Sequence, residues 1–434
     1  MSTIELAPVL APAETDPVSA ARADARTLRY GFRDLAHKMN APREYDANGN
    51  LMEISIALKR VLDCGRLARG QFATYNQAPN GNASTGGLIT CGRGLVCPVC
   101  SVPIREARRL ELLAMMRAIR DLGGTLDFGT FTLRHYKSMT EDEALTVIRS
   151  ISAAVFSGGT WQKYKKRYGL GQASTIEATY GKHGPHPHLH MILFQGAPEV
   201  SKKTGKWLPT GKPSAPRWTE SERLEVLEWI KAKYLKEVAK AGMPAPSPEY
   251  ALKWIPVYDQ ADVEGLAHYM TKDETPDEAQ EARARGLSVE ALRGDLKTKQ
   301  RSEHTTLTPN QLLLAALAGD KEAYRQYWAH EKSTRGLRWY RVSHGLREAL
   351  GVKVDNRTDE QIAAEEETKG VPVVAVTAKS WWKLANAGQV VEGLELLEAK
   401  GPEVTLNWLV SQGYEAYSME ELHQDDPPGR KPPD

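Results

Sequence analysis

The chain has 434 residues, of which 41% are hydrophobic and 26% charged, a globular composition that excludes a collagen-like or wholly disordered chain. The longest aliphatic run, 312–318, is far shorter than the roughly 20 apolar residues of a membrane span. Residues 1–12 include Glu5 and lack a basic start, so no signal peptide is expected. These features predict a cytoplasmic protein without a membrane partner.

The small net charge of +2 hides an asymmetry. Residues 353–434 hold eight basic and 16 acidic side chains, a net charge of −8, so the rest of the chain carries +10. A basic body indicates a polyanionic partner, although solvated charged faces give the same pattern.

The first 120 residues divide into two predicted parts. Residues 1–50 are rich in Ala, Pro and Asp without sustained periodicity, which predicts a disordered arm. Residues 51–120 contain all four cysteines. They end in a predicted helix, 101–122, whose apolar stripe stops at Gly123.

Residues 121–290 alternate between strand and helix patterns. Thr140 and Thr219 each precede a glutamate by three residues, the spacing of a capping box, and Pro256 favours an edge position for the last strand. This order predicts an α+β domain with an antiparallel central sheet and helices on one face. The predicted strands are 126–133, 174–180, 187–194 and 252–258, and the predicted helices are 140–156, 219–241 and one capped by Asp262.

The C-terminal part of the chain has a different pattern of predicted elements. Residues 300–352 predict a helical region that starts at Thr308-Pro309. Residues 353–434 predict an acidic linker, glutamate-rich over 361–370, and a small C-terminal module whose fold the pattern does not assign.

The cysteines indicate a metal site. Intracellular proteins rarely use cysteines for disulfides, and Cys97 and Cys100 form a CxxC pair. With Cys64 and Cys91 they can close a tetrahedral Zn²⁺ shell, which predicts a structural rather than a catalytic zinc. The alternative is that Cys64 is a separate buried cysteine and that the other three bind no metal.

A second candidate site lies in the predicted strand 187–194. Alternate strand residues share a face, so His188 and His190 present two imidazoles to one point, which suits a divalent metal. His186 extends this face. If the preceding strand pairs with this one, Glu177 adds a carboxylate, and the set suits Mg²⁺ or Mn²⁺.

Tyr269 and Lys272 are three residues apart, which places them on the same face of the predicted helix. A tyrosine hydroxyl beside a divalent metal and a lysine can attack a phosphodiester, because the lysine favours the phenolate and the metal polarises the phosphate. The tyrosyl phosphodiester keeps the bond energy, so such a cut can be reversed without ATP.

Taken in their order along the chain, the histidine and tyrosine motifs resemble those of the HUH endonucleases. The resemblance is specifically to the rolling-circle replication initiator (Rep) proteins of small bacterial plasmids. The resemblance extends over roughly residues 55–350. The matching segments are Phe131-Thr132-Leu133, Glu177–Tyr180 with His186–His190, Tyr269–Asp273, and the cysteine segment Cys97–Cys100.

The resemblance implies an HUH (RRM-like) nuclease domain within 121–290. Tyr269 would be the nucleophile that joins the 5′ phosphate of nicked DNA, assisted by Lys272. The implied metal ligands are His188, His190 and Glu177, with His186 contributing. The implied partners are double- and single-stranded plasmid origin DNA, a host helicase, since no phosphate-binding loop is present, and a single-strand binding protein.

The residue that ends replication is not assigned by the resemblance. Relatives often place a glutamate four residues before the tyrosine, and here that position is Gly265. Glu264 lies about 140° from Tyr269 around an ideal helix, and Asp262 shares the face of Tyr269 but lies about 10 Å along the axis. Both remain candidates.

Two basic clusters are predicted to bind DNA, because basic side chains follow phosphates while aromatic rings stack on unpaired bases. Solvated helix faces are the alternative for each. The first cluster contains Arg105, Arg108 and Arg109; the second contains Lys163, Lys165, Lys166 and Arg167, interleaved with Trp161, Tyr164 and Tyr168.

Two other functions fit part of the pattern. An HUH relaxase or transposase would share the chemistry, but relaxases commonly place the tyrosine before the histidines, and small transposases lack a cysteine segment. A non-catalytic, zinc-stabilised DNA-binding regulator would leave the histidine and tyrosine motifs unexplained.

Overall fold

A computed structural model gives the structure of the protein. It describes residues 60–134, 136, 138–181, 184–196, 218–247, 251–258, 263–264, 266–267, 307–317, 319–353, 357–366 and 370–424. The predicted arm, Asp262, Gly265, Tyr269 and Lys272 lie outside the described residues.

The described residues form nine strands and twelve complete helices. The strands are β1 (Phe72–Gln77), β2 (Ala83–Gly86), β3 (Thr125–Thr132), β4 (Gly171–Gly181), β5 (Gly184–Gln195), β6 (Leu252–Val257), β7 (Tyr340–Val342), β8 (Val371–Thr377) and β9 (Ala416–Ser418). The helices are α1 (Pro98–Asp121), α2 (Glu141–Val155), α3 (Gly158–Tyr168), α4 (Glu220–Lys240), α5 (Pro309–Leu317), α6 (Lys321–Ser333), α7 (Leu346–Ala349), α8 (Asp359–Glu366), α9 (Ala378–Asn386), α10 (Val390–Lys400), α11 (Pro402–Ser411) and α12 (Met419–Gln424).

Local sequence signals account for several element boundaries. Thr140 and Thr219 both form complete capping boxes at the starts of α2 and α4, which satisfy backbone donors that the first helical turn leaves unpaired. Pro256 lies in β6, an edge strand of its sheet, as its missing N–H predicts. No described helix combines the length and the apolar character needed to cross a membrane.

The larger sheet has five antiparallel strands in the order β6-β3-β5-β4-β7. β5 is therefore central, flanked by β3 and β4. β7 lies within the predicted helical region 300–352, so that region is only partly helical. Its three residues pair with β4, and a strand this short gives little periodic signal.

Helices cover both faces of this sheet, and the prediction of helices on one face is wrong. On one face, Leu189 packs with Ile148 of α2 and Ile230 of α4. On the other, Ile192 packs with Met115 of α1 and with Leu266. The cause is visible in β5, where every residue of 191–194 is apolar, a pattern of strands buried on both sides.

A second sheet joins the two ends of the described chain. Its order is β2-β1-β8-β9, and Tyr75 of β1 packs edge-on against Trp381 of α9, with ring centroids 5.4 Å apart.

The predicted acidic linker also differs from expectation, because α8 lies partly within it. Ile362 and Ala363 are buried against the cysteines, so this segment is part of the core.

Candidate metal centres

Strand register brings the predicted histidines and glutamate onto one face of the larger sheet. His188 lies opposite Glu177 on β4 and opposite Thr132 on β3. His190 lies opposite Thr130. Residues directly opposite one another point to the same side of a sheet, so we call this surface the histidine face.

The side chains on the histidine face form two contacting pairs. His190 Nε2 is 3.2 Å from Glu177 Oε2, and His186 Nδ1 is 2.6 Å from His188 Nε2. The His188 and His190 rings are stacked with centroids 6.1 Å apart. All four predicted ligands therefore share one face, but as adjacent pairs rather than a set closed around a single point.

Two threonines of β3 orient the imidazoles. Thr130 Oγ1 is 3.3 Å from His190 Nδ1, and Thr132 Oγ1 is 3.5 Å from His188 Nδ1, the outer limit of a hydrogen bond. A threonine hydroxyl can accept from Nδ1–H or donate to Nδ1, so these contacts hold both rings in place whichever ring nitrogen carries the proton. Sequence reasoning did not assign Thr130 a role, although its alternation with Thr132 in an apolar strand was a usable signal.

His190 is held in the neutral state that ligates metals. It is buried, and burial lowers its pKa to about 4 because the charged imidazolium loses its hydration. The ring of Phe128 stacks on it at 5.8 Å. At neutral pH one ring nitrogen of this imidazole therefore carries a lone pair, the form in which histidine ligates metals.

The segment that leads to the predicted nucleophile packs beside the histidine face. Val263, Leu266 and Ala267 are buried in the same cluster as Phe128, and Ala267 precedes Tyr269 by two residues. Glu264 has a different environment: its Oε1 is 2.7 Å from Arg117 Nη2 of α1, and both side chains are about half exposed, 49% and 48%. Its predicted role in termination stays a prediction.

All four cysteines form one buried group that could hold a metal ion such as zinc. Their sulfur atoms all lie within 4.8 Å of one another. Cys64 Sγ is 3.4 Å and Cys91 Sγ is 3.7 Å from Cys100 Sγ, close to the roughly 3.8 Å between sulfurs in tetrahedral zinc with Zn–S bonds of about 2.3 Å. Cys64 therefore belongs to the group, and the alternative of a separate cysteine is wrong.

One thiol of the group is in the form that metal binding requires. Hydrogen bonds from neighbouring thiols, that of Cys100 first, lower the pKa of Cys97 well below its ordinary value, and a thiolate is the form that ligates metal. The pKa values of Cys64 and Cys91 are raised, chiefly by the hydrogen bond with Cys100 and by burial respectively, so these thiols would lose their protons when a metal binds. Tyr327, Trp328 and Trp339 enclose the group. Among the described residues, no other set of three or more His, Cys, Asp or Glu side chains converges this closely.

In the first basic cluster, the arginines make structural contacts. Arg105 Nε donates to the carbonyl of Gly94 at 3.3 Å, and Arg108 Nη2 lies 2.9 Å from Asp359 Oδ1 of α8. These contacts hold parts of the fold together. Their assignment to DNA binding stays a prediction, weakened by this geometry.

In the second cluster, on α3, the aromatic residues differ from expectation. Trp161 and Tyr168 are only 4% and 2% exposed and lie in the core beneath α3, so they cannot stack on bases. Lys163, Lys166 and Arg167 are exposed, and Lys165 is half-buried. The basic face of α3 is thus available to phosphates without the aromatic contribution.

Comparison with known proteins gives one informative likeness. The chain is similar to the curated protein named Protein rep of Streptomyces lividans, with 25% identity over 372 aligned residues, 75% of this chain and 78% of that protein. No protein-family model matches the chain. No solved structure matches it.

Proposed function

We propose that this chain is a plasmid replication initiator that nicks and rejoins one strand of its origin through Tyr269. The observation that carries the proposal is the histidine face, with the buried residues Leu266 and Ala267 beside it and Tyr269 two residues further along the chain. The likeness to Protein rep supports the replication role.

The donor set of the histidine face fits a divalent cation. Two imidazoles, with His190 neutral, and the Glu177 carboxylate would hold Mg²⁺ or Mn²⁺, with His186 as a fourth donor. When bound, the ion would polarise the scissile phosphate as a Lewis acid. Thr130 and Thr132 would fix the ring orientation of His190 and His188 by accepting from Nδ1–H.

The proposed chemistry is a transesterification. The Tyr269 oxygen attacks phosphorus, the Tyr269 O–P bond forms, and the P–O3′ bond breaks. The phenolic proton leaves Tyr269, whose phenolate is favoured by the cationic Lys272, and the released 3′ oxygen takes up a proton. At termination a 3′ hydroxyl attacks the tyrosyl phosphodiester, which restores the DNA strand and the tyrosine.

The partners follow from this proposal. The substrate would be plasmid origin DNA, bound as duplex and as the displaced single strand. A host helicase would extend the opening, and a host single-strand binding protein would cover the displaced strand.

Formation of a covalent adduct tests the proposed function. Labelled single-stranded origin DNA is incubated with the protein and Mn²⁺, and adducts are resolved on a denaturing gel and mapped by peptide mass spectrometry. We expect an adduct on Tyr269 that is abolished by EDTA, by Tyr269→Phe and by His188→Ala. Tyr258→Phe is the matched control, since Tyr258 is 74% exposed and its removal should leave the adduct unchanged.

The other outcomes identify the alternatives. DNA binding without an adduct under any metal would favour the non-catalytic regulator. An adduct on a different tyrosine would keep the reaction class but overturn the assignment of Tyr269.

Thr130→Val is expected to weaken metal binding by about 10- to 100-fold, the usual effect of removing a residue that orients a metal-bound histidine. Valine keeps the shape of the side chain but cannot accept from His190 Nδ1–H. Nicking should therefore fall at low Mn²⁺ and recover at high Mn²⁺, in a titration of adduct yield against Mn²⁺ concentration. Thr130→Ser should retain near-normal behaviour, and Thr146→Val, on the exposed side of α2, is the control. An unchanged Mn²⁺ midpoint in Thr130→Val would contradict the orienting role.

A further inference from the structure

Three arginines converge at the outer edge of the larger sheet. Arg341 lies in the edge strand β7 opposite Ser174, and both face the side of the sheet that α2 covers, since Ile176, two residues along β4, packs there. Leu337 packs in the same cluster as Ile148 of α2. Arg338 and Arg149 directly follow these two residues.

The described residues around this arginine cluster leave its positive charge without a carboxylate partner. Burial lowers the pKa of Arg341, and the guanidinium groups of Arg149 and Arg338 lower it further. Both charged groups that shift the pKa of Arg341 are thus cations. Within the described part of the chain, no carboxylate forms an ion pair with any of the three.

Two other arginines that, like Arg149, are partly buried are paired with carboxylates. Arg223 lies against Asp127, and Arg347 Nη2 is 2.7 Å from Glu111 Oε1. By contrast, Arg149 Nε is buried without a hydrogen-bond partner among the described residues. Like charges at short range raise the free energy of the folded state, so a cluster of this kind is stabilised by a bound anion.

We propose that Arg149, Arg338 and Arg341 bind the phosphate backbone of duplex DNA outside the nicking site. The choice of DNA as the anion rests on the proposed function. Guanidinium groups match phosphate oxygens as planar, two-pronged donors. The cluster lies on the face of the sheet opposite the histidines, so DNA bound here is held by its backbone and does not contact the reacting phosphate.

The test measures duplex affinity over a range of salt concentrations, with EDTA present so that no strand is cut. The full-length protein is titrated into a short fluorescent duplex, and the slope of log K against log salt is compared between variants. Arg338→Gln and Arg341→Gln should each reduce the magnitude of the slope by about one, and the double variant by about two. Both side chains are exposed, so folding should be preserved.

The control is Arg325→Gln. Arg325 is 68% exposed and ion-paired with Glu322 on α6, so its replacement removes the same charge from a neutralised site and should leave the slope unchanged. With a single-stranded substrate at saturation, the rate of adduct formation on Tyr269 should be unaffected by Arg338→Gln and Arg341→Gln.

Each alternative outcome has a distinct meaning. Equal slopes for wild type and the double variant would overturn the proposed DNA site while leaving the nicking function intact. Loss of adduct rate without loss of duplex affinity would also overturn it, since the arginines would then act in nicking and not in duplex binding. If the slopes change as expected but no tyrosine adduct forms, the DNA site stands and the nuclease proposal fails. If the wild-type protein binds no duplex, the proposed DNA site fails, and adduct formation on single-stranded DNA decides the nuclease proposal separately.

Discussion

Cys97→Ser is expected to release bound zinc and to lower the free energy of unfolding by about 3–5 kcal/mol or more, since breaking a buried charged cluster leaves its remaining members without partners. The four sulfurs come from two parts of the chain: Cys64, and the segment 91–100 that leads into α1. They lie in one core with Tyr327 of α6 and Ile362 of α8. A metal at this point therefore links segments that lie beside the larger sheet.

The measurement combines metal content with chemical denaturation. Purified wild-type protein should contain about one equivalent of zinc, the stoichiometry of a four-thiolate site, and a strong chelator should reduce its stability to that of Cys97→Ser. The midpoint and slope of urea unfolding report the difference.

Val99→Ala is the matched control. Val99 lies between Cys97 and Cys100 and is buried in the same core, so its truncation creates a small cavity but removes no ligand. The Val99→Ala variant should lose about 1–2 kcal/mol of unfolding free energy and should keep its metal. Equal zinc content in Cys97→Ser and wild type would contradict a structural metal site. A free energy of unfolding that the chelator does not change would contradict it too.

Elements specified by nearby residues could be predicted from the sequence. The capping boxes at Thr140 and Thr219 place the starts of α2 and α4 correctly, because each depends on residues three positions apart. The alternation of His188 and His190 likewise predicts their shared face, since side-chain direction in a strand has a period of two. The four-cysteine group also follows from residue type and spacing.

Contacts between distant residues could not be predicted in this way. β1 pairs with β8 across some 300 residues of chain, and a single sequence carries no signal for such a pairing. The interleaving of Trp161, Tyr164 and Tyr168 with basic residues predicts a base-stacking surface. The three- and four-residue spacing of these aromatic residues is also that of the buried stripe of an amphipathic helix, and Trp161 and Tyr168 do lie in the core.

Another contact hidden from the sequence is a buried ionic network around Glu141, the first residue of α2. Glu141 Oε1 is 2.8 Å from His330 Nδ1, and its Oε2 accepts hydrogen bonds from Ser333 Oγ at 2.7 Å and from Tyr180 Oη. His330 Nε2 is 3.2 Å from the carbonyl of Leu95. Because both ring nitrogens face acceptors, both carry protons, and His330 is an imidazolium.

The pKa shifts agree with a charged pair. Burial acts to lower the pKa of His330, but the charge and hydrogen bond of Glu141 outweigh burial and raise it. Burial acts to raise the pKa of Glu141, and the charge and hydrogen bond of His330 reverse this and lower it. The network joins α2 to α6, to β4 through Tyr180 and to the cysteine segment through Leu95.

We expect Glu141→Gln to lower the free energy of unfolding by about 3–5 kcal/mol at pH 6, the cost of leaving one member of a buried ion pair alone. Glutamine keeps the size of the side chain but removes the charge that holds the His330 proton. Asp142→Asn is the control: Asp142 is the next residue of α2 and is exposed, so only a helix-dipole effect of about 0.3–1 kcal/mol is expected. Urea unfolding measures both.

The pH dependence gives an independent check on the same pair. The raised pKa of His330 contributes stability that is fully present below its ordinary value of 6.5 and is lost as the pH rises through the folded value. The lowered pKa of Glu141 contributes stability that is present above its ordinary value of 4.5 and is lost as the pH falls through the folded value. The stability difference between wild type and Glu141→Gln should therefore be greatest between pH 4.5 and 6.5. A difference that is independent of pH, or no larger than that of Asp142→Asn, would show that Glu141 contributes by packing and hydrogen bonding and not as the partner of a buried imidazolium.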